Sequence, residues 1–101
     1  MKDILKKNNI MIAMLSMEFE YREKLYAALV RVKKINDNIE YHLTIMNGDL
    51  EKLLYGWHIF KEEQGRFVPC RAAEKGETAA LQSTVCNGLH VMSDRDVVIR
   101  N

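Results

Sequence analysis

A chain of 101 residues with 48% hydrophobic and 29% charged side chains has the balance of one small folded domain, which excludes a disordered chain. Fifteen Lys and Arg against 14 Asp and Glu leave a net charge of +1, without the basic excess that nucleic-acid binders use to neutralise phosphate. Two cysteines, Cys70 and Cys86, are too few for a disulfide-dense secreted scaffold and read as free thiols of a cytoplasmic protein.

The N-terminus carries Lys2, Lys6 and Lys7 ahead of an apolar run at residues 10–15. The outline is that of a secretory leader. However, Asn8 and Asn9 separate the basic and apolar parts, and no small-residue cleavage site follows. The run is far too short to span a bilayer, so no membrane association is expected. Methionines at 1, 11, 14 and 17 could each start translation. Strand-like alternation becomes evident at Met17. The expected organisation is therefore a weakly ordered or docking extension over residues 1–16 and a single domain over residues 17–101.

From there the elements follow in order. Met17, Phe19 and Tyr21 alternate with Glu18, Glu20 and Arg22, a half-buried strand, and "REK" turns the chain. Leu25, Ala28, Leu29 and Val32 of the next stretch have helical spacing. Tyr26, Ala28, Val30 and Val32 also alternate, and a strand is expected because it completes a hairpin. After the turn signal at residues 36–38, Ile39, Tyr41, Leu43 and Ile45 alternate with Glu40, His42, Thr44 and Met46 in a third strand.

The period then changes. Leu50, Leu53, Leu54 and Trp57 predict one or two helical turns, capped by Asn47 or Asp49 and stopped by Gly56. Residues 57–69 read as a second hairpin turning near Gln64 and Gly65, with Pro69 at a strand end or edge. A helix is expected over residues 75–87, ended by Asn87 and Gly88, and then a polar turn with a short apolar tail. The sum is an α+β fold. It has an antiparallel sheet of about five strands, in the order β-β-β-short α-β-β-α, with one C-terminal helix packed on one face.

No stretch carries a catalytic signature. His58, Cys70, Cys86 and His90 are the right residue types for zinc, but neither cysteine belongs to a C-x₂-C knuckle. No metal site and no cofactor are expected. Cys86 and His90 stand four apart, yet a helix ending at Gly88 would send them in different directions. Cys70 is the better reactive candidate, because the neighbouring Arg71 would favour its thiolate. Glu62 with Glu63, and Asp94 with Asp96, read as solvated carboxylates. "EKGE" lacks a phosphate-binding glycine pattern.

Association remains. One helix covers one face of a sheet incompletely, leaving an apolar strip or edge for a protein partner or a second copy. Ile10, Ile12, Leu15, Trp57 and Phe60 are the expected contact residues of a non-catalytic association domain. The alternative is weak nucleic-acid binding through Lys24, Arg31, Lys33 and Lys34 beside Tyr26 and Tyr41. Glu18, Glu20 and Glu40 on the same strands weigh against it. A small thiol or metal-dependent protein is the third class.

Overall fold

The computed structural model describes residues 9–95. Strands β1 (Asn9–Tyr21), β2 (Lys24–Ile35) and β3 (Asn38–Ile45) lead into helix α1 (Gly48–Leu54), followed by β4 (Ile59–Glu63), β5 (Arg66–Pro69) and helix α2 (Glu77–Arg95). The five strands form one antiparallel sheet in the order β1-β2-β3-β4-β5, so the fold is α+β. The expectations for residues 1–8 and for the tail at 96–101 lie outside the described residues.

The turns follow from backbone geometry. Arg22 and Glu23 both have positive φ, 53° and 67°, as do Gln64 and Gly65, 54° and 82°. Two such residues in succession make the type I′ turn that suits the right-handed twist of a tight hairpin. Arg22 and Glu23 adopt it without glycine. The Arg22 guanidinium is meanwhile paired with the Glu77 carboxylate at the start of α2.

One face of the sheet is the core. Met17, Phe19, Ala28, Val30, Val32, Tyr41, Leu43, Ile45, Phe60 and Phe67 are buried there, as strand alternation requires. α2 supplies Leu81, Val85, Leu89 and Met92, a stripe at helical spacing, and α1 supplies Leu50 and Leu54. α2 lies against β1 and β5, the two edge strands, so the sheet curves around it. At the start of α1 the Asn47 side chain accepts the Leu50 N–H at 3.1 Å. Glu51 reaches back to accept the Ile45 N–H at 2.7 Å, continuing the hydrogen bonding of β3 where strand pairing stops.

Two element boundaries differ from the sequence reading. β1 starts at Asn9 rather than Met17, and residues 9–16 pair with the second half of β2. Residues 10–15 are apolar on both faces, so no alternation announces the strand. α2 begins at Glu77 and continues to Arg95, through the expected stop at Asn87 and Gly88. Gly88 is not in the left-handed conformation that ends a helix. It sits where the helix meets β1, and a Cβ there would stand 3.0 Å from both Met17 Cε and Phe19 Cβ. The glycine serves close packing rather than termination.

Candidate functional site

The most distinctive surface is the free edge of β1. In a two-residue hairpin the closing residues exchange both backbone hydrogen bonds, and such pairs recur at every second residue. Counted from Tyr21 and Lys24, the pairs Phe19–Tyr26, Met17–Ala28 and Leu15–Val30 are bonded to β2. Glu20, Glu18, Ser16 and Met14 then direct their backbone groups away from the sheet. The β2–β3 turn gives the same parity independently: pairing from Ile35 and Asn38 commits Lys33, Arg31 and Leu29 to β3.

α2 covers one half of this edge. Thr84 Oγ1 donates to the Glu20 carbonyl at 3.1 Å, and Gly88 brings the helix close over the Glu18 carbonyl. A strand edge is thereby closed by a helix, a recognised protection against stray pairing. Alongside runs an open groove of about 1110 Å³, between Thr84, Asn87 and Val91 on the helix and Ser16, Glu18, Glu20 and Ala27 on the hairpin.

The other half, residues 9–16, has no strand or helix beyond it among the described residues. Its side chains include four of the nine large exposed apolar residues described: Ile10, Met11, Ile12 and Met14, each more than half exposed. The strip carries no ionisable side chain. A shift in register between Met11 and Ala13 marks a bulge at Ile12. An uncharged, apolar, unpaired edge is unusual, because exposed edges are commonly blunted with charge or proline.

The expected contact residues are distributed unevenly. Ile10 and Ile12 lie on this strip, and Leu15 lies half-buried beside it against the core. Met11 and Met14, within the apolar run at residues 10–15, belong to the same strip. Phe60 is fully buried in the sheet and offers no surface. Trp57 packs half-buried at the opposite end, with the Arg71 guanidinium 4.3 Å from its ring centre. That region is tied together by buried Gln82, whose Oε1 accepts the Ala73 N–H at 2.8 Å. Its Nε2 donates to the carbonyls of Trp57 and Arg71 at 3.1 and 2.9 Å.

The basic residues are divided between the two faces and two ends of β2. Arg31 and Lys33 lie on the outer sheet face, where Arg31 donates to Thr44 Oγ1 at 3.0 Å. Lys24 stands at the opposite end of β2, and Lys34 alternates to the other face. Tyr26 and Tyr41 face the core side, Tyr26 stacked on Phe19 and Tyr41 edge-on to Phe67. On the outer face His42 is hydrogen-bonded to Glu40 at 2.9 Å, with its ring 6.1 Å from that of His58. Burial, and then the neighbouring His42, lower the His58 pKa. Among the described residues no group of three or more His, Cys, Asp or Glu side chains is placed to hold a metal ion.

Both cysteines are free. Cys86 lies in the middle of α2, half-buried against the core, and burial pushes its thiol up to about 11. His90 is exposed and faces Asp94 at 3.9 Å along the helix. Cys70 is also raised, by burial first and then by Glu40. The thiolate is therefore not favoured as expected, and the Arg71 guanidinium lies over the Trp57 ring. At pH 8 only roughly one Cys86 thiol in a thousand is ionised. A disulfide reagent under native conditions is therefore expected to modify exposed Cys70 first and Cys86 only on unfolding. Equal rates for the two thiols would contradict this placement.

Comparison of the chain with protein-family models, curated proteins and solved structures finds no match.

Proposed function

We propose that this is a non-catalytic association domain, and that residues 9–16 of β1 are its contact surface. One observation carries the reading. α2 covers the half of the β1 edge that holds Glu18 and Glu20, and leaves uncovered the half that is apolar and uncharged. The unpaired backbone groups of that half supply hydrogen bonds to an incoming strand, and its side chains supply apolar area; strand addition uses both. The two free thiols fit a reducing compartment, the cytoplasm. No helix among the described residues is long and apolar enough to cross a membrane.

The test is site-specific capture. A photo-activatable aromatic residue placed at position 14 in living cells is expected to give discrete covalent adducts. The same group at exposed Glu62, on β4, is expected to give none. No adduct from position 14, or the same adducts from both positions, would contradict the reading.

A further inference from the structure

Resting on that reading, we propose that the occupant of the open edge is a second copy of this chain. The two β1 strands pair antiparallel across a two-fold axis, joining two five-stranded sheets into one of ten strands.

The first argument is the spacing of the available backbone groups. Met14 and Ser16 direct theirs outward by the hairpin parity. Beyond the bulge Met11 stands opposite Lys33 and Asn9 opposite Ile35, residues of β2 committed to β3. Asn9 and Met11 therefore also face outward. The outward residues are 9, 11, 14 and 16, with a wider step at the bulge. A regular strand offers its bonding residues two apart throughout and falls out of phase at that step. A second copy running antiparallel does not. Asn9 meets Ser16 of the second copy, Met11 meets Met14, and the two bulges lie together at the axis. The spacing reads the same in both directions, so the bulge that hinders other strands still admits this one.

The second argument is charge. Residues 9–16 contain no ionisable group, so the antiparallel arrangement sets no like charges opposite one another. Glu18 and Glu20 lie beyond Ser16, outside the paired segment, where α2 meets their backbone carbonyls. The helix thus gives the pairing a defined limit at Ser16. A contact related by a two-fold axis is closed, so the assembly stops at two copies.

The strip is short, which places the affinity at the weak end of specific interfaces, in the micromolar range. Sedimentation velocity of the full chain over a concentration series is expected to show a monomer–dimer equilibrium with no larger species. Met14→Pro is the diagnostic variant. Its missing N–H is one that points away from β2, so the fold survives while strand pairing is blocked. The expected result is a dimer weakened at least about tenfold at an unchanged far-ultraviolet circular dichroism spectrum. Should Met14→Pro fail to fold, Met14→Lys places a charge from each copy in the strip and is expected to weaken the dimer as strongly. A chain that stays monomeric at every concentration, or folded variants that dimerise like the parent, would overturn the proposal. A monomeric chain whose position-14 probe still captures a different protein refutes only the second copy as occupant. A probe that captures nothing refutes the association reading itself.

Discussion

Gln82→Leu is expected to destabilise the domain by about 2–3 kcal/mol, read as a lower urea midpoint with an unchanged slope. Leucine has nearly the same size, so packing is conserved and the loss is polar. The Gln82 amide satisfies three backbone groups from two separate loops: the Ala73 N–H and the Trp57 and Arg71 carbonyls. A group left without a partner costs about 1–3 kcal/mol when fully buried, and less for these part-buried ones, which water can reach. The three share one network, so their losses do not simply add. Gln82→Glu is a stricter form of the same test. It keeps the acceptor for Ala73 but sets a carboxylate against two carbonyls, and it is expected to destabilise at neutral pH and recover partly on acidification. A Gln82→Leu variant as stable as the parent would mean that the loops around Trp57 are held by other contacts.

The second large effect is expected at Gly88. In an ordinary helix interior, glycine is worse than alanine by about 1 kcal/mol, so replacing it should stabilise. Here an added Cβ meets Met17, Phe19 and the Glu18 carbonyl at 3.0–3.2 Å, closer than van der Waals contact. Gly88→Val is expected to destabilise by about 3 kcal/mol, because overpacking forces α2 away from β1. Gly88→Ala is expected to lose the usual gain and fall below the parent. The displacement has a second consequence. Once the helix lifts, the Thr84 hydroxyl leaves the Glu20 carbonyl, and the covered half of the β1 edge opens. Gly88→Val should therefore aggregate on storage at concentrations where the parent does not. A stabilised Gly88→Ala would show that the helix does not approach the strand so closely.

Most of the fold was legible because the sheet has one buried face. Period-2 alternation identified the third strand and the second half of the first, and completion of a hairpin decided the ambiguous stretch at residues 25–34 in favour of a strand. The hairpin at Gln64 and Gly65 and the cap at Asn47 follow from local chemistry that needs no tertiary context. Two features could not be read this way. Residues 10–15 belong to a strand whose two faces are both apolar, so the sequence shows no polar–apolar alternation and their run resembles an arm ahead of the domain. Gly88 is a helix stop by local preference, and only its position against Met17 and Phe19 shows why the helix runs through it.

The candidate surface was legible in composition but not in extent. Ile10 and Ile12 stood out as exposed apolar residues outside the alternating pattern. Phe60 was grouped with them for its size, yet alternation places it opposite Tyr41 in the core, where both are buried. The division of the β1 edge into a covered and an uncovered half depends on which way backbone groups point. That follows from turn length and pairing parity, and no side chain reports it. The same limit applies to the Cys86 and His90 pair. One helix carries both, but one thiol packs inward while the imidazole faces Asp94.

Residue-resolved amide hydrogen exchange, measured at low and high protein concentration, tests the open edge most directly. In dilute solution Met14 and Ser16 are expected to exchange as solvent-exposed amides, while Leu15 and Met17, bonded to β2, are protected. Raising the concentration is expected to protect Met14 and Ser16 and leave Glu62, on β4, unchanged. Protection of Met14 and Ser16 already present in dilute solution would mean that the edge is not open. Fast exchange at every concentration would mean that the edge does not pair.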